Sequence, residues 1–208
     1  MVDVFENAVS ILIHDKDVQS IKTLDGTVVW EKPVQTTTIL VFSGDTVSFG
    51  QNIDSNGDVT VDWGDGTTTT INNPTSNISH TYSDGETTHT VILDGRITNF
   101  GEGCFYSSTL SSITIPNSVT SLGGGCFANC TGLTSITIPN SVTSLGNDCF
   151  VSCTISNYQL YWVNDDVITY NTSKMPTTNN TVFTIPNNST EDYVAKGYPS
   201  DKLVERSE

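Results

Sequence analysis

The sequence predicts a mainly β chain: a short repeat solenoid, preceded by a small β-domain and an N-terminal β-hairpin module. Three observations lead there. SSITIPNSVTSLGGGCF (111–127) returns as TSITIPNSVTSLGNDCF (134–150), a spacing of 134 − 111 = 23 residues, and a fixed period in the twenties marks stacked rungs. Upstream, Val59, Val61 and Trp63, then His89, Val91 and Leu93, alternate with polar residues as half-buried strands do. The first 35 residues set turn dipeptides between short apolar runs, the pattern of hairpins. The expected units are therefore residues 1–35, 36–95 and 96–208.

Residues 1–35 contain VSILIHDKDVQSIKTLDGTVVWEKP, which reads as strand, Asp-Lys-Asp turn, strand, Asp-Gly turn, strand. Val9, Ile11 and Ile13 form the apolar side of a candidate docking arm. Pro33 disfavours continuation of a ladder and marks the boundary. In residues 36–95, Gly64-Asp65-Gly66 turns the chain after the Val59–Trp63 strand. Asp62 and Asp65 are expected to brace that turn, with calcium binding as the lesser reading.

The rungs align in columns. Leu110 matches Leu133, Ile113 and Ile115 match Ile136 and Ile138, Val119 matches Val142, and Leu122 matches Leu145. Phe105, Phe127 and Phe150 share a column, and so do Cys104, Cys126 and Cys149; Cys130 and Cys153 form another. An earlier half-rung, ITNFGEGCF (97–105), aligns at a spacing of 126 − 104 = 22, so the array starts near Ile97. Within a rung, L-x-x-I-x-I is a short strand, Pro-Asn ends it, and C-F-x-x-C suits a helical turn because i and i+4 share a face. One rung cannot bury its own apolar edge; stacking does. The five cysteines are odd in number, so at least one stays unpaired in a monomer. Lying in inward columns, they read as small buried hydrophobes, with disulfides or a metal as the lesser reading.

Beyond residue 155 the repeat decays to strand-like alternation. FTIP (183–186) then revives ITIP (136–139), and STEDYVAKGYP (189–199) predicts a terminal helix covering the last rung. Thr190 is its expected N-cap, Glu191 and Asp192 fill the first turn, and Gly197 and Pro199 stop it.

TSITIPNSVTSLGNDCFVSCT resembles the leucine-rich repeats of bacterial BspA-type surface antigens. Leu133, Ile136, Ile138, Pro139, Val142, Leu145, Phe150 and Cys153 carry the match. It covers about half the chain, from Ile97 onward, and departs at Cys104, Cys126 and Cys149, where the family usually has Ala. The resemblance implies a solenoid, surface display and adhesion. Trp63-Gly64-Asp65-Gly66-Thr67, His80-Thr81-Tyr82 and Thr90-Val91-Ile92-Leu93 resemble a PKD-type immunoglobulin-like domain, which implies spacing or ligand contact outside cells. V-x-S-I-K-x-x-D-G-T-V-x-W (18–30) resembles short N-terminal modules of phage tail and baseplate proteins, which implies docking into a particle.

Composition narrows the partners. Eight Lys and Arg stand against 23 Asp and Glu, a net charge of −15. Such a surface repels phosphate backbones and anionic membranes, so neither nucleic acid nor membrane insertion is expected. Charged residues are only 15% of the chain; Thr, Ser and Asn supply the remaining polarity, as in many extracellular and virion-surface β-proteins. No run approaches the roughly 18 apolar residues of a membrane span. The start has no basic n-region, so either a leader has been removed or the protein reaches its site without one, as a virion component would.

No catalytic signature is present: no HExxH, no GxSxG and no Cys–His pattern accompanies His14, His80 and His89. Gly123–Gly125 lacks the GK[ST] of a phosphate loop and reads instead as a tightly packed rung corner. Asp54, Asn56 and Asp58 have the opening spacing of a calcium loop but lack its sixth-position Gly and distal Glu, and Asn56-Gly57 is a turn by itself. No cofactor and no metal site is expected. Ser112, Thr114, Ser135 and Thr137 are the polar positions of the rung strands, stacked into an array of short hydroxyls. They are the candidate ligand-binding residues, against the plainer reading that Ser and Thr solubilise a β-face.

The expected function is non-enzymatic: a surface-displayed binding or adhesion protein of a microbe or its virus, recognising an extracellular protein or glycan. One rival is a structural virion component (tail, baseplate or fibre decoration) docked on other virion proteins through residues 1–35. The second is an accessory module of a secreted glycan-degrading enzyme.

Overall fold

The stacked rungs exist, and the small β-domain upstream completes their first edge. A computed structural model describes residues 20–22, 28–31, 37–163 and 168–206. The chain divides into two compact units, residues 1–34 and 35–208. In the first, β1 (Ser20–Lys22) and β2 (Val28–Glu31) pair antiparallel, Ser20 opposite Glu31 and Ile21 opposite Trp30. The arm residues Val9, Ile11 and Ile13, His14, the Asp-Lys-Asp and Asp-Gly turns and Pro33 lie outside the described residues.

The regular elements of the second unit are nearly all strands. Its upstream part holds β3 (Thr37–Ser43), β4 (Thr46–Phe49), β5 (Ile53–Ser55), β6 (Val59–Asp62), β7 (Thr68–Ile71), β8 (Ile78–Thr81) and β9 (Thr88–Asp94). The expected alternation holds: Val59, Val61, Trp63, Val91 and Leu93 are all buried. The rungs supply β10 (Ile97–Phe100), β11 (Leu110–Ile113), β12 (Ser121–Leu122), β13 (Ser135–Ile138), β14 (Ser144–Leu145), β15 (Asn157–Leu160), β16 (Val182–Ile185) and β17 (Leu203–Glu205). The α-helix α1 (Thr190–Ala195) and a 3-10 turn (Ser200–Lys202) lie between β16 and β17.

Two pairings join the upstream strands to the rungs. β3 pairs antiparallel with β11, extending the sheet β11-β3-β9-β6-β7; β5 pairs antiparallel with β10, extending β14-β12-β10-β5. An isolated first rung would leave both its strand edges and its apolar face open. Here β3 and β5 close the edges, and Phe42 and Phe49 continue the apolar core. The rings run as a ladder: Phe42 on Phe49 at 5.3 Å, Phe49 on Phe105 at 5.7 Å, Phe105 on Phe127 at 5.1 Å, and Phe127 on Phe150 at 5.3 Å. Tyr158 meets Phe150 edge-on at 5.7 Å and stacks on Phe183 at 5.3 Å.

Backbone bonds tie rung to rung at each corner. Phe105 N donates to Cys126 O (2.7 Å), and Phe127 N donates to Cys149 O (2.8 Å). Thr120 N donates to Thr98 O and Thr143 N to Thr120 O, both at 2.9 Å. This explains one departure from expectation. The C-F-x-x-C segments are turns with i to i+3 bonds, such as Cys130 N to Phe127 O and Cys153 N to Phe150 O, rather than helices. Their other N–H groups face the next rung and cannot serve a helical ladder. The turns are flanked by left-handed residues: Gly103, Gly125 and Asp148 on one side, Ser107, Asn129 and Ser152 on the other. At the Gly-rich corner the backbones nearly touch. A Cβ on Gly123 would collide with the backbone of Gly101 and Glu102, and one on Gly146 with that of Gly123 and Gly124.

The repeat continues past its apparent decay. β13, β15, β16 and β17 form one parallel sheet, with Tyr158 opposite Ile136 and Phe183 opposite Tyr158. The rung from 155 onward keeps its inward positions while exchanging aliphatic for aromatic residues. The helix N-cap is Ser189, not Thr190, and no side chain of its own segment caps it. Glu205 of β17 does so instead, accepting from Thr190 N at 3.2 Å and Thr190 Oγ1 at 2.7 Å. These bonds, that of Thr190 Oγ1 foremost, hold the Glu205 carboxyl below its ordinary range. Gly197, at φ +91°, ends the helix as expected. Among the described residues, no helix is long and apolar enough to cross a membrane.

Candidate functional site

The predicted hydroxyls lie on the outward face of the rung strands. Ser112, on β11 opposite Val41, is exposed, and so is Thr114, whose N–H donates to Ile39 O at 2.9 Å. Ser135 is exposed at the start of β13, opposite Asn157. Thr137 is half-buried, and its Oγ1 donates to Gln159 Oε1 at 3.3 Å. β11 and β13 run side by side without completing a hydrogen-bonded ladder, so the four residues form two pairs on neighbouring strands.

Register extends this face beyond the predicted residues. Thr137, Gln159, Thr184 and Val204 stand in one row across β13, β15, β16 and β17; Ser135, Asn157 and Val182 stand in the next. Thr184 Oγ1 donates to Asn157 Oδ1 at 3.1 Å. One step further, Tyr161 is exposed, with the Arg206 guanidinium 3.4 Å from its ring centre. On the other side of β11, Val41, Ile39 and Ile92 continue the face over β3 and β9. The alternation N-Y-Q-L-Y-W-V (157–163) could have revealed Asn157, Gln159 and Tyr161. Arg206 carries no such signal, because it reaches Tyr161 only through the pairing of β17.

The cysteines belong to the core. Cys104, Cys126, Cys130 and Cys149 are buried, Cys153 is partly so, and all five are free. Burial pushes the Cys126 and Cys149 thiols well above their ordinary range and the Cys153 thiol up to about 12, the reverse of nucleophile activation. Cys130 Sγ donates to Phe105 O at 3.0 Å, and Cys153 Sγ to Phe127 O at 2.9 Å. The second cysteine column therefore holds the turn of the preceding rung.

The calcium-like spacing is used otherwise. Asn99 Nδ2 donates to Asp54 Oδ2 at 2.9 Å, and Asn72 Nδ2 to Asp58 Oδ1 at 2.8 Å, so the two carboxylates serve different neighbours. Asp62 and Asp65 do brace the Gly-Asp-Gly turn: Gly64 N donates to Asp62 Oδ1, and Thr67 N to Asp65 Oδ1, each at 2.9 Å.

The fold also brings together an acid–imidazole pair that sequence spacing does not reveal. His80 Nε2 lies 2.7 Å from Asp65 Oδ2. Thr67, through its hydroxyl and then its N–H, and His80 after it hold the Asp65 carboxyl down at about 2. The His80 ring stacks on Trp63 at 4.9 Å and meets Tyr82 edge-on at 4.6 Å. Tyr82 OH donates to Trp63 O at 2.7 Å. The pair thus pins two strands and a turn together, and no Ser or Cys nucleophile is bonded to it among the described residues.

A family comparison agrees with the rung geometry: residues 66–172 and 98–191 match the BspA type leucine rich repeat region, a family described by six copies. No curated protein matches the chain.

Proposed function

The chain belongs to the BspA-type leucine-rich repeat family, and from that premise we propose that it is a non-enzymatic binding protein of a microbial or viral surface. In this reading, Ser112, Thr114, Ser135 and Thr137, continued by Asn157, Gln159 and Thr184, contact an extracellular protein or glycan. One observation carries it: strands β13, β15, β16 and β17 are in register and present a row of amide and hydroxyl groups along one outward face. Short polar side chains on a rigid sheet lose little conformational entropy on binding, and amides and hydroxyls both donate and accept hydrogen bonds. The upstream strands β3–β9 of the same unit, with their PKD-like residues, serve as the solenoid's first cap and as a spacer.

The test is an array of glycans and extracellular-matrix proteins probed with the full chain and with a Thr114→Arg/Ser135→Arg double variant. Both positions are exposed, so the variant keeps its melting temperature and loses binding at least tenfold. Equal binding by a folded variant would exclude this face. A second reading is a virion component docked through its N-terminal residues, and the separate compact unit of residues 1–34 favours it. Co-purification with particles, lost on removing residues 1–33, would support it.

A further inference from the structure

The rung sheet has a charge asymmetry that the whole-chain balance conceals. Of the chain's 23 Asp and Glu, three lie between Gly103 and Thr190: Asp148, Asp165 and Asp166. Asp148 sits on the turn that holds Cys149 and Phe150, and the other two lie outside the described residues. None of the outward positions on β13, β15 and β16 is acidic. We infer that this face takes an extended glycan bearing carboxylates, a uronate chain, held by Asn157, Gln159 and Arg206. The inference rests on the binding face proposed above and names its ligand class.

Two independent observations support it. The first is the orientation of the amides. Asn157 Oδ1 accepts from Thr184 Oγ1 at 3.1 Å, and Gln159 Oε1 accepts from Thr137 Oγ1 at 3.3 Å. The flanking strands thus engage both amide oxygens and fix both half-buried side chains. Asn157 Nδ2 and Gln159 Nε2 keep their donors, with no acceptor among the described residues, and neither nitrogen is sealed from solvent. The second observation is Arg206. Its N–H donates to Ile185 O at 3.0 Å, and its guanidinium donates to Leu160 O and lies 3.4 Å from the Tyr161 ring centre. Strand and ring therefore hold the cation in place. A guanidinium has five donors and no acceptor; no carboxylate pairs with this one among the described residues.

The donors stand in a line. Alternate residues on one face of a strand are about 6.6 Å apart, so Asn157, Gln159 and Tyr161, with Arg206 over its ring, span about 13 Å. A guanidinium pairs with a carboxylate through short, charge-assisted, bidentate bonds, and the amide donors beside it suit the ring and hydroxyl oxygens of neighbouring sugar units. A polypeptide brings one N–H for every carbonyl, and a face whose amide oxygens are already engaged answers those poorly; sugar hydroxyls rotate to accept. Glu205, the acid next to Arg206 in the sequence, is taken by Thr190 N and Oγ1. Exposed charges more than about 8 Å away are largely screened at physiological salt.

The experiment titrates the ¹⁵N-labelled full chain with an oligogalacturonate and with the same oligomer fully methyl-esterified, which is neutral. The acid form is expected to shift the side-chain amides of Asn157 and Gln159 and the Arg206 Nε resonance saturably. Esterification should weaken binding at least tenfold, as should Arg206→Gln. Because Arg206 also braces Leu160 and Tyr161, Gln159→Glu is the second variant. It keeps an oxygen for Thr137, adds a negative charge to the face, and should also cost at least tenfold with the melting temperature unchanged. Equal binding of the ester, or full binding by the folded Gln159→Glu variant, would overturn the carboxylate ligand while leaving the binding face itself standing. Equal binding of a poly-glutamate peptide would overturn a glycan as the source. Shifts that do not saturate, or that fall away from β13, β15, β16 and β17, would overturn the site.

Discussion

Replacing Phe127 with Ala should remove the middle of the aromatic ladder. Phe127 is fully buried, and the rings of Phe105 and Phe150 lie 5.1 and 5.3 Å away, inclined by 8° and 9°. Truncating a buried Phe costs about 3–5 kcal/mol, and each stacked pair adds about 0.5–1.5 kcal/mol beyond area burial. With neighbours on both faces fixed by rung-to-rung backbone bonds, the site cannot collapse around the cavity, so the upper end applies: about 5 kcal/mol. For a chain of this size each kcal/mol moves Tm by about 2–4 °C, which gives a drop of about 10–20 °C. Tyr106, beside Phe105 but 57% exposed, is the control; its change to Ala should cost no more than about 0.5 kcal/mol. Urea unfolding followed by far-UV circular dichroism measures both. A Phe127→Ala cost below about 1.5 kcal/mol, or one equal to that of Tyr106→Ala, would refute the ladder as the source of rung cohesion.

Other changes test separate parts of the structure. Gly123→Ala should destabilise by about 3 kcal/mol or prevent folding, because its Cβ meets backbone rather than a side chain that can turn away; a melt within 2 °C of the parent would contradict that packing. Asp65 has its carboxyl lowered from 3.8 to about 2 in the fold, so its stabilisation is complete above pH 4 and lost as pH falls toward 2. Asp65→Asn should therefore flatten the pH dependence of stability in that window, and an unchanged acid titration would count against the His80–Asp65–Thr67 clamp. Cys149→Ala should cost only about 1 kcal/mol and keep any ligand binding, whereas thiol labelling of the folded chain at pH 8 should reach Cys153 first and the four buried thiols only on unfolding. Rapid labelling of all five would contradict the buried columns.

Much of the solenoid is legible in the sequence because each rung rewrites the same columns at a fixed spacing. Phe105, Phe127 and Phe150, the two cysteine columns and the Gly corner all fall where the alignment places them. The joins to the upstream strands are not legible. Val41 and Ser112 pair across about seventy residues, Ile53 and Phe100 across nearly fifty, and no local period records such partners. The rung at Tyr158 escapes the alignment because its inward residues changed type while keeping alternation. The helix cap is displaced by one residue because its acceptor, Glu205, comes from a later strand. The hydroxyl positions Ser112, Thr114, Ser135 and Thr137 were visible as alternation, but their continuation through Gln159 and Thr184 needed the parallel register. The His80–Asp65 pair needed β8 to fold back onto the turn after β6, a partner fifteen residues away that no local period records.

The claim on which the rest depends is that the upstream β-strands and the rungs share one core across residues 35–208. Its most direct test is ¹⁹F NMR of the full chain carrying 5-fluorotryptophan, unfolded in urea. Trp63 sits in the upstream domain and Trp162 in the later rungs, both buried; Trp30 is the third tryptophan. The account predicts that the native signals of Trp63 and Trp162 disappear together, with one midpoint and one slope. A Trp63 signal that melts at a distinctly different urea concentration, while Trp162 stays native, would contradict it.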